Sequence, residues 1–309
     1  MNELTQNNAP NFMKKLQNIL ITGSNGQLGR CLQDAVCGGR YAVSDTSNFF
    51  FTDIEELDIT DICAVSDFVY ENKIDCIINA AAYTAVDNAE DESEEAFDIN
   101  ATGVWVVSHI CMEQNVFLIH ISTDYVFDGN ATAPYKPNAR PNPVSVYGKS
   151  KLAGEQAILD DCSPSVIIRT SWLYSQYGHN FLNTMLKLGK EKKDIYVVDD
   201  QYGAPTNAHN LADVILNIIE QKDKIKRPTV FHYANEGVTT WCGFAKEIMK
   251  MAQLPCVVHP ITTTEYSTKA KRPAYSVLEL SKIKKQFKIK IPDWTESLQR
   301  ELSLIPNDA

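Results

Sequence analysis

The 309-residue chain is 44% hydrophobic and carries 29 Lys+Arg against 39 Asp+Glu, a net charge of −10. That acidic balance excludes nucleic-acid binding by bulk attraction, though a helix N-terminus in an acidic protein still takes a small phosphate-bearing ligand. The apolar content suffices for a domain of ~200 residues or more with a smaller appendage, and no apolar run approaches the ~18 residues of a membrane span, so a cytoplasmic protein that does not enter a membrane is expected.

Residues 1–15 are polar and read as a loose tail. The Lys14-Lys15 pair precedes "LQNILITG", which is too short and too polar for the apolar core of a secretory leader. From Gln17, short apolar runs alternate with longer amphipathic stretches. Strands are predicted at 18–22, 41–44, 74–79, 116–122 and 165–170, with weaker ones at 195–199 and 230–235. Helices are predicted near 27–37, 61–72, 91–114, 146–160, 179–190, 208–221 and 239–252. Strands that are apolar throughout are buried on both faces, and their alternation with helices implies a parallel sheet between helical layers. The segment 129–143 holds four prolines and cannot be a regular element. Following a strand, such a loop sits at the carboxyl edge of the sheet, where α/β domains bind ligands. After residue 171 the strands are more widely spaced. The expected division is a dinucleotide-binding domain over 16–171 and a smaller, partly discontinuous lobe built mainly from 172–309, with some segments returning to the main sheet.

The eight cysteines (31, 37, 63, 76, 111, 162, 242 and 256) form no Cys-x-x-Cys pair, and several lie in apolar runs. They read as reduced core thiols, with neither a disulfide frame nor a zinc site.

The first motif is "ILITGSNGQLGRCLQ", a strand running into a helix through Gly23, Gly26 and Gly29. Gly23 permits the tight turn, Gly26 lets the backbone approach a pyrophosphate, and Gly29 allows helix and strand to pack closely. Asn25, Gln27 and Leu28 lie between them, and the helix N-terminus offers its N–H groups to phosphate. The spacing indicates a Rossmann-type doubly wound fold holding NADH or NADPH. A carboxylate is expected ~20 residues on to bind the ribose. Asp45 stands at that spacing and would lean toward NAD, although "SDTSN" also reads as a turn. Asp58 and Ile59 are expected to close a short third strand against the adenine, or else to precede a helix capped by Thr60 or Asp61.

The second constellation begins where "VFLIHISTDYVFDG" ends its strand at Thr123. Tyr147 follows 24 residues later, with Lys151 at i+4 on the same helical face. An ammonium beside the phenol is expected to lower its pKa from ~10, making Tyr147 a proton donor or acceptor near neutrality. Thr123 would hydrogen-bond a carbonyl or alkoxide oxygen, and Lys151 would also hold the ribose of the nicotinamide. Taken separately, each of these residues reads equally as a strand end or an exposed helical pair; their order behind a dinucleotide loop favours chemistry.

At these residues the chain resembles the extended short-chain dehydrogenase/reductase superfamily. Within it, "INAAAYTAVDNAE", "STDYVFDG", "YGKSKLAGE", "RTSWLY", "DDQYGAPT", "YANEGVTTW" and "RPAYSVL" resemble the dTDP-4-dehydrorhamnose reductases. The resemblance implies a dTDP-sugar substrate whose 4-keto group is reduced by NAD(P)H, the last step toward dTDP-L-rhamnose, a precursor of surface polysaccharide. It implies that Tyr147 is the proton donor, Lys151 its partner and Thr123 the ligand of the keto oxygen. Asp124, Tyr125 and Trp172 would contact the sugar nucleotide, while Ala81, Ala82 and Tyr83, after the fourth strand, would line the cofactor. Trp172 otherwise reads as a core aromatic. Asn207 and Arg272 would serve the nucleotide end, Arg272 through its planar fork on the diphosphate or, alternatively, as part of a solvated basic loop. Some members dimerise through a divalent metal held by glutamates. Cys31 takes one of those positions, and a thiol is a poor ligand for a hard cation, so no metal site is expected and monomer or homodimer stays open. Two other functions compete: a nucleotide-sugar epimerase or dehydratase that recycles bound NAD, and a non-catalytic NADP-binding regulatory subunit. A dehydratase would want Asp-Glu after the threonine, whereas Asp124 is followed by Tyr125.

Overall fold

The computed structural model describes residues 16–161 and 163–305. The tail expected at 1–15 and Cys162 lie outside them. In chain order come β1 (Asn18–Thr22), α1 (Gln27–Cys37), α2 (Ala42–Thr46), β2 (Asn48–Thr52), α3 (Ile62–Glu71) and β3 (Cys76–Asn79). They are followed by α4 (Ser93–Phe97), α5 (Val104–Glu113), β4 (Phe117–Thr123), α6 (Val146–Asp160), β5 (Ser165–Thr170), β6 (Leu173–Tyr174) and α7 (Phe181–Glu191). The remainder is β7 (Asp194–Val198), β8 (Tyr202–Gly203), β9 (Thr206–Asn207), α8 (Ala208–Glu220), β10 (Thr229–His232), β11 (Thr239–Thr240), α9 (Trp241–Met251), β12 (Val257–Ile261), α10 (Ser281–Phe287) and α11 (Trp294–Leu302).

Six strands form one sheet in the order β10-β5-β4-β3-β1-β2, and every pairing in it is parallel. The order reverses between β1 and β3, so a crevice opens at the strands' carboxyl ends there, the ligand site of doubly wound sheets. Alternate side chains feed two cores. Ile19, Ile21, Cys76 and Ile78 pack beneath α1 and α8. Leu20, Ile77, Leu118 and Ile167 pack beneath α3, α5 and α6. A third core gathers α7, α9, α11, β7 and β12 around Leu182, Phe244, Ile248 and Leu298. The β7–β12 pair is parallel. β12 contains Pro260, tolerated because the strand has a free edge.

The second strand is not at 41–44. That segment holds the one-turn helix α2, where Val43 is buried, and β2 is built from the run Phe49–Phe51. A strand sandwiched between layers must cover both: Phe49 and Phe51 serve one core and Phe50 the other, edge-on to Phe68. Likewise 57–61 is a turn and not a third strand, with Asp61 capping α3. The helix expected at 91–114 is interrupted by a π-helical stretch, Asp98–Gly103. There Asn100 turns inward to bond the Tyr83 backbone on both sides and the Ser150 hydroxyl. Helical bulges of this kind are frequent beside functional sites.

Candidate active site

A cleft of about 1480 Å³ runs along the carboxyl edge of the sheet and on between the main sheet and the third core. It exceeds the ~300–1,000 Å³ of a pocket for one small molecule, which leaves room for a dinucleotide and a nucleotide sugar together.

Its floor is the turn between β1 and α1. Gly23 has φ +65°, and a Cβ on it would meet the Ala81 backbone nitrogen at 2.6 Å. A Cβ on Gly29 would meet the Gly23 carbonyl oxygen at 2.4 Å and Ser24 Cα at 2.5 Å, so helix and loop touch backbone to backbone. Gly26 meets only the Gly23 oxygen, at 3.2 Å, and lines the cleft. It is the N-cap of α1, with no side-chain cap and no acidic residue in the first turn. The first-turn N–H groups are therefore left for an anion, which is what a dinucleotide's pyrophosphate requires. Gln27 and Leu28 line the cleft, whereas Asn25 is exposed and gives its backbone N–H to Asp53 Oδ2 at 2.8 Å. Gly29→Ala is expected to weaken dinucleotide binding at least tenfold and lower the melting temperature by several degrees, since backbone must move. Titration of dinucleotide fluorescence and thermal melting check both.

Three further expected cofactor or substrate ligands stand elsewhere. Asp45 is exposed in α2, ahead of β2 and away from the cleft. The carboxylate at the tip of β2 is Asp53, which lines the cleft and which spacing alone misses. Asp58 and Ile59 do line the cleft, but from the turn before α3, where Asp58 accepts from Thr60 and Ile59 packs against Gly103. Ala81 and Ala82 line it after β3, the third strand. Tyr83 turns its ring away, its hydroxyl donating to Glu92. Asn207 is the N-cap of α8, accepting from Asn210 N–H and donating to buried Glu301 at 2.6 Å. Its polar atoms are spent on the fold.

The proposed chemistry faces this floor. Thr123 ends β4 and donates to Asp124 Oδ1 at 3.1 Å. Ser145 caps α6, accepting from Gly148 N–H at 3.1 Å, and Tyr147 stands in its first turn. Gly148 is a functional position that the spacing does not single out: a Cβ there would meet the Tyr125 carbonyl oxygen at 2.2 Å, so only glycine lets the helix start this close to the end of β4. The rings of Tyr125 and Tyr147 meet edge to face at 5.6 Å. Lys151 is buried, and its ammonium donates to the Ile121 carbonyl at 2.8 Å. Burial lowers its pKa to about 8, against the favourable charge of Glu155.

The tyrosine is not tuned downward as expected. Burial dominates and pushes the Tyr147 phenol above its usual value, with the hydrogen bond between it and Thr123 opposing. The ammonium is turned to the end of β4 and is not among the charges acting on the phenol. Asp124 is buried with Oδ2 unpartnered among the described residues. Desolvation raises its pKa to about 6, opposed by hydrogen bonds from Ser276 and Thr123.

On the far wall, Trp172 takes φ +47° and stacks on Trp241 at 3.7 Å. Gly203 makes room, since a Cβ on it would lie 2.6 Å from the Trp172 ring. Both indoles line the cleft, and Trp172 is half-buried and outside the hydrophobic cores. Arg272 donates to Asp87 at 2.5 Å and to the Tyr125 hydroxyl at 3.1 Å, holding that tyrosine in the cleft wall. Asp87 and Trp241 are cleft residues that spacing gave no reason to choose.

The family model described as RmlD substrate binding domain matches residues 17–305. The chain is 40% identical over 290 residues to a dTDP-4-dehydrorhamnose reductase of Aggregatibacter actinomycetemcomitans, covering 91% of this chain and 97% of the relative. It is 37% identical over 302 residues to that of Escherichia coli K12, covering 93% and 97%. The crystal structure of the Bacillus anthracis dTDP-4-dehydrorhamnose reductase in complex with NADP superposes with a TM-score of 0.88 at 37% identity, covering 94% of this chain and all of that one. Identity of this order along nearly the full length of both partners reflects common descent, and the chain belongs to the dTDP-4-dehydrorhamnose reductase family.

Proposed function

We propose that this protein reduces the 4-keto group of dTDP-6-deoxy-L-lyxo-4-hexulose to give dTDP-L-rhamnose, using NADH or NADPH. The observation that carries the reading is the convergence of Thr123, Tyr147 and Lys151 on the cleft that the Gly23–Gly29 turn also lines. Gly26, Gln27, Leu28, Asp53, Ile59, Ala81 and Ala82 are the residues that would hold the dinucleotide, with Lys151 on its ribose. When bound, the reduced nicotinamide supplies the hydride.

The chain's own part is to hold the sugar and deliver a proton. Thr123 and Tyr147 hydroxyls bind the keto oxygen, and as negative charge develops there Tyr147 donates its phenolic proton. A phenol whose pKa is raised by burial stays protonated throughout the neutral range, the form a reduction needs. Lys151, partly charged near pH 8 and turned to the end of β4, serves the reaction through the ribose it would hold. Trp172 offers a wall for the sugar nucleotide, and Asp124 accepts from its hydroxyls. Residues 16–171 with the returning β10 serve the cofactor and the remainder mainly the substrate, a division supported by the separate third core. No helix among the described residues is long and apolar enough to cross a membrane.

Supplying the 4-keto sugar nucleotide with NADH or NADPH in parallel should oxidise at least one of them stoichiometrically. Protein purified with a full complement of tightly bound NAD and giving no net oxidation would instead indicate an epimerase or dehydratase. The pH profile of kcat/KM is expected to be bell-shaped. Activity falls below about 6 as Asp124 takes a proton and loses acceptor capacity, and above about 8 as Lys151 loses its charge. Asp124→Asn should remove the acid limb alone; persistence of that limb would exclude Asp124 as its source.

A further inference from the structure

His120 lies in β4, fully buried, on the face that packs against α6. Its Nε2 is 3.5 Å from Lys151 Nζ, and its Nδ1 is buried with no partner among the described residues. An ammonium only donates, so the contact requires Nε2 to accept and Nδ1 to carry the hydrogen. The neighbouring position in register on β3 is Asn79, whose Nδ2 is likewise buried and unpartnered. Asn79 in turn accepts from the Thr22 hydroxyl at 2.8 Å, in register on β1, one residue before Gly23. A polar row thus crosses three strands from the dinucleotide turn to the lysine. An apolar residue would fill the His120 position without leaving a polar atom unsatisfied, so the imidazole is kept for something other than packing.

We propose that His120 is a positioning residue for the reduction: its neutral ring accepts from Lys151 through Nε2 and, with the Ile121 carbonyl, fixes the ammonium at the end of β4. Without the ring, the ammonium has one protein acceptor in place of two, and its four-carbon stem is free to swing. The charged groups acting on this pair are few. Glu155 on α6 acts on the lysine, the lysine acts on the ring, and Arg169 of β5 is engaged by Glu155. Burial and the ammonium both oppose protonation of the ring, holding His120 neutral across the working range.

The inference rests on the reductase reading for its kinetic arm, so the decisive measurement is independent of turnover. Imidazole nitrogen NMR of the whole chain should show His120 neutral from pH 6 to 8 with the hydrogen on Nδ1, and Lys151→Met should move its Nε2 resonance. A charged ring, or one carrying its hydrogen on Nε2, would overturn the proposal. In kinetics, His120→Leu should lower kcat about ten- to a hundredfold, the scale of a small misplacement. It should also move the alkaline limb to lower pH, with KM for the sugar nucleotide unchanged. His120→Gln, whose amide oxygen reaches the Nε2 position, should recover most of the loss; the shorter His120→Asn should not. Equal kcat and equal limbs for the Gln and Leu variants, or for Gln and Asn if the Leu variant does not fold, sink the idea even where the parent reduces the sugar normally.

Discussion

Tyr147→Phe is expected to lower kcat by ~10²–10⁴, the usual contribution of a positioned general acid, while leaving the melting temperature within a few degrees and dinucleotide affinity within about twofold. The change removes one oxygen and little else. The ring keeps its place among Tyr83, Ala89, Ala96 and Tyr125 and its edge contact with Tyr125. The hydroxyl's partner is Thr123, which keeps Asp124 and the Tyr125 N–H, so the substitution strands no further buried group. What is lost is a phenol that lines the cleft with its hydroxyl against Thr123. Oxidation of the reduced dinucleotide followed by absorbance, with thermal melting as the control for folding, reads both quantities. A variant retaining half or more of the parent's kcat would remove Tyr147 from the acid role and turn attention to Asp124, whose raised pKa makes it the next proton donor in the cleft.

Much of this could be read from the chain before any coordinates. The turn from β1 into α1 is legible because its glycines answer separate steric demands: those on Gly23 and Gly29 appear in the structure as contacts a Cβ would violate, while Gly26 lines the cleft. Tyr147 and Lys151 were legible because helical periodicity sets their relation and a cap at Ser145 starts the helix ahead of them. The misplacements share a cause. Counting residues points to Asp45, but position at a sheet edge is decided by which run can satisfy both cores, and Phe49–Phe51 does so where 41–44 cannot. Asp53 becomes visible once that triple is taken as the strand. Neighbourhood along the chain alone points to Tyr83 and Asn207. Tyr83 is drawn off by Glu92, and Asn207 by an orphan helix N–H and by Glu301, a residue 94 positions away. The direction of the Tyr147 shift depended on the depth of burial and on where the Lys151 ammonium rests, neither of which i+4 spacing specifies. Helices α10 and α11 are hard to read from the chain because they span only seven and nine residues, about two turns of periodicity each.

Arg169→Met should destabilise the protein by ~3–5 kcal/mol, the scale for stranding one member of a buried ion pair. Arg169 on β5 and Glu155 on α6 are 4% and 0% exposed in their side chains and meet in a fork, Nε to Oε1 at 2.8 Å and Nη2 to Oε2 at 2.6 Å. Ser122 of β4 donates to the same Oε1, and the guanidinium lies over Phe127 at 5.1 Å. Removing the arginine leaves a carboxylate in the core with one hydroxyl for company. Removing both charges in Glu155→Leu with Arg169→Met should cost far less, because well-packed apolar residues often match a buried pair. The pair's use is then geometric: it ties α6, one turn beyond Lys151, to the two strands whose ends form the catalytic edge. Urea unfolding of the two variants separates the effects. The double variant should regain most of the lost stability yet keep a lowered kcat, since helix register is no longer enforced. A single variant within about 1 kcal/mol of the parent would show the carboxylate to be hydrated and the pair dispensable. A double variant with the parent's stability and full kcat would show that packing alone seats the helix.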